Sequence, residues 1–97
     1  MNQPYTQPSI VEKSVIGGLC FPGDDVLNTV EAISKRRSDA ERAMILGNNY
    51  KGKVKIIFQD SDGMKQVETT IWSVTERWIL LKTGMNIPLH RIHEISI

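Results

Sequence analysis

The sequence lacks the features that mark several classes of protein. A single cysteine among 97 residues excludes a disulfide framework and an all-cysteine metal site. No apolar run exceeds five residues, whereas a membrane-spanning helix needs roughly 20. Twelve Lys and Arg residues against eleven Asp and Glu leave a net charge of +1, so the chain as a whole has no strong attraction for polyanions. These absences predict a small protein that does not cross a membrane.

Targeting and catalytic motifs are also missing. The first nine residues contain no basic side chain and no apolar segment, so they do not resemble a signal peptide and we expect a cytoplasmic location. No glycine-rich loop is followed by the Lys and Ser or Thr of a phosphate-binding loop. His90 and His93 have no third ligand at a spacing that suits a metal. We therefore predict a protein that is not an enzyme and uses no cofactor or metal.

Residues 24–48 carry the pattern of a helix. Asp24 and Asp25 suit the N-cap position. The apolar residues that follow recur at helical spacing and form one face, consisting of Val26, Leu27, Val30 and Ile33. Ser38 and Glu41 have the spacing of a second capping box, so the segment is either two short helices or one broken helix.

From Lys53 onward the hydrophobic period changes to two, which is the pattern of half-buried strands. In the first strand, Val54, Ile56 and Phe58 alternate with polar side chains. The Asp and Gly residues at positions 60–63 then predict a tight hairpin turn. The pattern predicts five strands, over 53–59, 67–74, 78–81, 85–87 and 92–97, with a break at 88–91 that Pro88 favours.

The predicted fold class is α+β, with an N-terminal helical segment followed by a five-stranded antiparallel sheet. Because exposed strand edges favour aggregation, we expect the sheet to be strongly curved or closed into a small SH3-like or Sm-like barrel. An open meander packed on the helix is the alternative. Residues 1–23 are predicted to be a flexible, partly disordered segment. Residues 24–97 then form a single domain, helical over 24–48 and barrel-like over 53–97.

The layout of residues 53–97 resembles the Sm and Hfq class of small RNA-binding barrels. It has a strand, an Asp-Gly turn, a long second strand, a hydrophobic strand, a short strand, a one-turn break and a closing strand. Members of that class usually carry a glycine at the bend of the second strand, where this sequence has Glu68 and Thr69. They also carry an Asp and an Asn in the next turn, which residues 74–77 do not supply. The resemblance implies an RNA-binding barrel.

His90 and Arg91 form the first candidate site. In the Hfq branch a Lys-His pair between the last two strands contacts RNA, and His90 and Arg91 occupy the matching place. Residues 87–92, with the sequence IPLHRI, are also similar to an element of a small archaeal family associated with recognising RNA cyclic ends. A histidine beside a guanidinium suits phosphate binding. In the structural alternative, His90 caps the turn and Arg91 pairs with Glu94 or Glu68.

Trp72 and two lysines complete the candidate surface. An exposed tryptophan can stack on a nucleic-acid base, whereas packing in the core is the alternative for both Trp72 and Trp78. Trp72 alternates with Ile71, so we expect Trp72 to be the more exposed tryptophan. Lys53 and Lys55 lie on the polar side of the first strand, where lysines can neutralise phosphates.

These observations predict a non-catalytic binding module for RNA or another single-stranded nucleic acid. Its predicted surface consists of His90, Arg91, Lys53, Lys55 and Trp72. The alternative is a protein-interaction or assembly module, in which strand edges and the apolar helix face pack against a partner or a second copy. The balanced charge favours the alternative, and the His-Arg turn favours nucleic acid.

Overall fold

The computed structural model describes residues 7–82 and 84–97. Within them the chain forms one α-helix, two 3₁₀ helices and seven strands. The helix, α1, spans Val30–Tyr50. The strands are β1 (Ser9–Ile10), β2 (Val54–Asp60), β3 (Gly63–Thr69), β4 (Ile71–Val74), β5 (Trp78–Leu81), β6 (Asn86–Pro88) and β7 (Ile92–Ser96). The 3₁₀ helices are Lys13–Gly18 and Leu89–Arg91.

The strands form two sheets. The larger sheet has the order β1-β3-β2-β7, and the smaller sheet has the order β4-β5-β6. β2 and β3 form the hairpin predicted at residues 60–63, with Asp60 paired to Gly63. Gly63 has a φ of 139°, which residues with a side chain rarely adopt. The Asp60 carboxylate accepts hydrogen bonds from the amides of Asp62 and Gly63, so the predicted turn is confirmed.

One apolar cluster joins both sheets to the helix. Val54, Ile56 and Phe58 of β2 point inward and are at most 2% exposed, as their alternation predicted. Residues from the helix and from the other strands complete the cluster, among them Ala40, Ala43, Ile71, Ile79, Leu81, Ile87 and Ile92. Burial of apolar surface on this scale is the main stabilising contribution in a domain of this size.

The helix packs against one edge strand of each sheet, β4 and β7. Gly47 lies so close to β4 that a Cβ atom there would be 2.4 Å from the Ile71 carbonyl oxygen. Towards the other end of the helix, Arg37 donates hydrogen bonds to the carbonyls of Thr75 and Glu76, both at 2.9 Å. The helix therefore covers β4, and a covered strand is protected from pairing with another chain.

The predicted five-stranded curved sheet, or SH3-like or Sm-like barrel, is wrong. The long second strand expected at 67–74 is interrupted at Thr70, because β3 pairs with β2 as far as Thr69 and β4 pairs with β5 from Ile71. The last two strands also separate, since β6 pairs with β5 and β7 pairs with β2. The result is a four-stranded and a three-stranded sheet, neither of them closed or strongly curled.

The helix begins later than predicted and is not N-terminal. Its N-cap is Thr29, whose hydroxyl accepts a hydrogen bond from the amide three residues further on. Asp24 and Asp25 do not cap it, because their carboxylates bind Arg91 and Arg36 instead. The helix then continues through Ser38 and Glu41 without the predicted break. β1 and the first 3₁₀ helix precede it in the chain.

The segment before the helix packs on the sheets. β1 pairs in parallel with β3, Ile16 is buried, and the carbonyl of Cys20 accepts a hydrogen bond from the amide of Ser61 at 2.8 Å. Residues 1–6 of the predicted flexible segment lie outside the described residues.

Candidate functional site

Arg91 lies in the interior and binds groups of the protein itself. It is 4% exposed. Its Nε donates to the Gln59 carbonyl at 3.0 Å, and its Nη1 donates to the Asp24 carbonyl at 2.8 Å and to the Asp24 carboxylate at 3.1 Å. The expectation that Arg91 is a surface residue is therefore wrong. Its acidic partner is Asp24 rather than Glu94 or Glu68.

His90 and Arg36, like Arg91, bind the stretch of chain before the helix, residues 22–26. The Nε2 atom of His90 lies 2.9 Å from the Pro22 carbonyl oxygen. Arg36 makes a bidentate ion pair with Asp25, both bonds being 2.8 Å, and donates to the Ile92 carbonyl at 3.1 Å. We call these contacts of residues 22–26 with Arg36, His90 and Arg91 the clasp. The nitrogen donors of the clasp bind carbonyls and carboxylates of the protein itself. Buried cations are costly unless they have such partners.

Two titratable groups are perturbed beside the clasp. The hydrogen bonds from Arg36 hold the pKa of Asp25 below its ordinary value despite partial burial. Burial lowers the pKa of His93, and the positive charges of Arg91 and Arg36 lower it further. The Nε2 atom of His93 lies 2.9 Å from the Gln59 side-chain oxygen. In the folded protein, Asp25 is therefore favoured as a carboxylate and His93 as a neutral ring.

Lys53 and Lys55 are exposed, as their alternation predicted. Lys55 faces Glu68 across the β2–β3 pair, and that carboxylate reduces the local positive charge. Lys53 precedes β2. Val54, the next residue, pairs with Thr69 of β3.

Trp72 occupies a β-bulge on the edge strand of the smaller sheet. Ile71 pairs with Leu81 and Ser73 pairs with Leu80, so Trp72 is the extra residue without a partner on β5. A bulge of this kind commonly redirects a side chain, and the Trp72 side chain is 47% exposed. Trp78 is 46% exposed, so the predicted difference between the two tryptophans is absent.

Trp72 lines an open depression between the end of α1 and the smaller sheet. The depression has a volume of about 300 Å³. Its lining consists of Gly47, Asn48, Lys51, Thr70, Trp72 and Lys82, and we call it the Trp72 depression. The close approach of Gly47 to β4 brings the helix end to this place. The Lys82 amide donates to the Thr70 carbonyl at 3.0 Å, which fixes the backbone at the other side.

Lys51 has a strained backbone at the rim of the Trp72 depression. It is the C-cap of α1, with φ 56° and ψ 34°, and its amide donates to the Gly47 carbonyl at 2.9 Å. Within the described residues it is the one non-glycine residue with a positive φ. Helices that end in this conformation usually carry glycine there.

The positive charges are unevenly distributed despite the net charge of +1. Six of the twelve basic side chains form ion pairs, namely Lys35, Arg36, Arg37, Arg42, Lys65 and Arg91. Within the described parts of the chain, Lys51, Lys53 and Lys82 form none. The partial negative charge at a helix C-terminus is about half an elementary charge, so the amines of Lys51 and Lys82 outweigh it. The Trp72 depression is therefore locally positive.

A second open groove lies between α1 and β7. Its volume is about 750 Å³. Val30 and Ile97 are exposed apolar residues at its rim, and the charged residues Glu31, Lys35, Asp39 and Arg42 also line it. The apolar helix face predicted for residues 26–33 is not continuous, because Val26 and Leu27 precede the helix.

The five predicted site residues lie in different environments. His90 and Arg91 belong to the clasp, Lys53 and Lys55 lie on or next to β2, and Trp72 lies in the depression. The sequence-based surface left out Asn48, Lys51 and Lys82, although Lys51 belongs with Lys53 and Lys55 to one basic stretch of the sequence. The sequence places them in a helix end and in two separate loops, so only the packing of α1 on β4 brings them to Trp72.

Among the described residues, no three side chains of His, Cys, Asp or Glu cluster closely enough to hold a metal ion. In that part of the chain no helix combines the length and apolar character needed to cross a membrane. Comparisons of the chain with protein-family models, with curated proteins and with solved structures find no match.

Proposed function

We propose that the protein is a non-catalytic module that binds single-stranded nucleic acid at the Trp72 depression. The observation that carries this proposal is a half-exposed tryptophan beside two lysines that lack ion-pair partners within the described residues. Proteins that bind single strands combine an aromatic platform for the bases with cations for the backbone. The Trp72 depression has both.

Stacking on Trp72 supplies the first part of the interaction. The bulge presents the indole to solvent next to a depression of about 300 Å³, a size at the lower end of small-ligand sites. That volume suits one base rather than a longer segment. A base stacked on an aromatic side chain contributes about 1 to 3 kcal/mol.

Lys51 and Lys82 supply the second part by neutralising phosphates on either side of the stacked base. Lys53 extends the positive surface, since it is exposed and follows Lys51 by two residues. His90 and Arg91 take no part, because their donors hold the clasp together. Trp72 and Lys53 of the sequence-based surface thus belong to the proposed binding surface, and Lys51 and Lys82 take the place of His90 and Arg91.

Binding of labelled single-stranded RNA and DNA of the same sequence, followed by fluorescence anisotropy at low salt, tests the proposal. We expect Trp72→Ala to weaken binding by roughly tenfold or more. Trp78→Ala is a matched control, since Trp78 is equally exposed and does not line the depression. Absence of binding by the unchanged protein, or equal loss in both variants, would contradict the proposal.

The lysines are tested by the double variant Lys51→Gly and Lys82→Ala. Glycine suits the positive φ of position 51, so weaker binding by this variant cannot be attributed to a disrupted helix end. We expect the slope of log affinity against log salt to become shallower by about 1.4, because each phosphate contact on a single strand contributes about 0.7. The control variant Lys13→Ala with Arg77→Ala removes the same charge from two residues that do not line the depression and should leave the slope unchanged.

A protein-docking surface has less support. The groove between α1 and β7 has Val30 and Ile97 at its rim, but four charged side chains also line it. Charged residues are depleted in the centres of protein interfaces. The groove is therefore less suited to a protein partner than the Trp72 depression is to a base and its phosphates.

A further inference from the structure

We infer that Tyr50 is a second stacking platform, so that the site takes at least two bases of one strand. This inference rests on the proposed function, because it extends the binding surface beyond the Trp72 depression. Tyr50 is the last residue of α1 and is 76% exposed. Among the aromatic residues that the structure describes, it is the most exposed. Its ring therefore has faces in water on which a base can stack.

Tyr50 lies close to Trp72, because each follows the place where α1 meets β4. A Cβ atom at Gly47 would be 2.4 Å from the Ile71 carbonyl oxygen. Tyr50 comes three residues after Gly47, and Trp72 comes directly after Ile71. The dimensions of a helix and of a peptide unit then place the α-carbons of Tyr50 and Trp72 at most about 12 Å apart. Two bases of one short strand can contact both rings.

Lys51 lies between the two platforms. It directly follows Tyr50 in the chain and also lines the Trp72 depression. Its amine has no ion-pair partner among the described residues. A phosphate that joins a base on Trp72 to a base on Tyr50 would therefore lie beside this amine. Single-strand sites combine rings for successive bases with cations for the backbone in this way.

The backbone that carries Tyr50 is held in place. The Lys51 amide donates to the Gly47 carbonyl at 2.9 Å and ends the helix. The next residue, Gly52, lies against the helix, since a Cβ atom there would be 3.0 Å from the Leu46 side chain. A recognition group on a rigid element loses less entropy on binding than one on a flexible loop.

The experiment measures the binding of labelled oligouridine and oligothymidine of about ten nucleotides, a length that covers a typical single-strand site. Fluorescence anisotropy at low salt follows the binding. We expect Tyr50→Ala to weaken binding by about tenfold, which corresponds to the loss of one stacked base. Tyr50→Phe keeps the ring and should retain the affinity of the unchanged protein.

A matched control and a second measurement separate stacking from a disturbed helix end. Ile45 is another exposed apolar residue of α1 and does not line the depression, so Ile45→Ala should leave binding unchanged. Tyr50→Ala removes no charge, so the slope of log affinity against log salt should also stay unchanged. A displaced Lys51 would make that slope shallower.

Tyr50→Ala should remain folded. Tyr50 does not belong to the apolar cluster, and alanine favours helices more than tyrosine does. Thermal unfolding of the variant checks this expectation.

The outcomes separate this inference from the proposed function. If no strand binds, the proposed function fails and the inference fails with it. If binding requires Trp72 but is unchanged in Tyr50→Ala, the proposed function stands and the role of Tyr50 is overturned. Equal weakening by Tyr50→Phe or by Ile45→Ala, or a shallower salt slope in Tyr50→Ala, also overturns it.

Discussion

At the scale of single residues, the type of a side chain does not show whether its chemistry is used inside or outside the protein. His90 and Arg91 have the composition of an anion site, but the same donors also satisfy carbonyls and carboxylates when they are buried. Asp24 and Asp25 have the composition of helix caps, yet they neutralise two buried arginines. Sequence spacing contains no signal for these choices, because each partner lies at least 11 residues away.

The two neighbouring aspartates allow a direct comparison of burial and ion-pair strength. Asp25→Ala leaves the buried guanidinium of Arg36 without its bidentate partner. Removing one member of a buried pair typically destabilises by about 3 to 5 kcal/mol. The side chain of Asp25 is 30% exposed, so water compensates in part and we expect about 2 kcal/mol. Urea unfolding at neutral pH measures this loss.

Asp24→Ala serves as the control for that prediction. Its side chain is 83% exposed, and Arg91 keeps two backbone carbonyl acceptors after the substitution. We therefore expect a loss below about 1 kcal/mol. Equal destabilisation by the two variants would show that the greater burial of the Asp25 pair does not govern its contribution.

At the scale of elements, local patterns predicted most strands but not their arrangement. The alternation of Val54, Ile56 and Phe58 and the turn before Gly63 correspond to β2 and the β2–β3 hairpin. These features follow from contacts between near neighbours in the chain. The transfer from one sheet to the other at Thr70 depends on which distant strands compete for pairing, and a single sequence does not show that. The sequence pattern therefore did not predict the break at Thr70 or the division into two sheets.

The packing of α1 on β4 leads to an unusual expectation for a glycine in a helix. Replacing a helical glycine by alanine ordinarily stabilises by about 1 kcal/mol. At Gly47 the added Cβ would lie 2.4 Å from a backbone oxygen of Ile71, which cannot move without shifting β4. We expect Gly47→Ala to destabilise by about 1 to 3 kcal/mol, as measured by thermal or urea unfolding.

Gly18→Ala is the matched control for the helix-packing prediction. Gly18 also lies in a helical element, and a Cβ atom added there has nothing within 4 Å. Its substitution should be nearly neutral. If Gly47→Ala were equally well tolerated, the close approach of α1 to β4 would not be required for the fold.

At the scale of the whole molecule, a net charge of +1 is the sum of two groups of positive charges in different environments. The buried arginines of the clasp are neutralised internally, while Lys51 and Lys82 line the exposed Trp72 depression. The composition gives the net charge but not where the unpaired positive charges lie, because the formation of ion pairs depends on the fold. The low net charge is therefore compatible with a local positive site.

The same distribution predicts how the stability of the molecule depends on pH. Burial lowers the pKa of His93, with a further contribution from Arg91 and Arg36 that outweighs the opposing charge of Asp25. A group whose pKa is lower in the folded state binds fewer protons when folded, so protonation favours unfolding. The stabilisation due to neutral His93 is complete above its ordinary pKa of about 6.5. It declines as the pH falls from there through the lower pKa of the folded protein.

Urea unfolding measured from pH 8 down to about pH 2 tests this dependence. We expect the free energy of unfolding to decline in two intervals as the pH falls. The first begins near pH 6.5 and belongs to His93. The second begins near pH 4, where the lowered pKa values of Asp25 and Asp60 act in the same direction. His93→Gln should remove the first decline and retain the second, because glutamine does not titrate. A first decline that persists in this variant would assign it to a group other than His93.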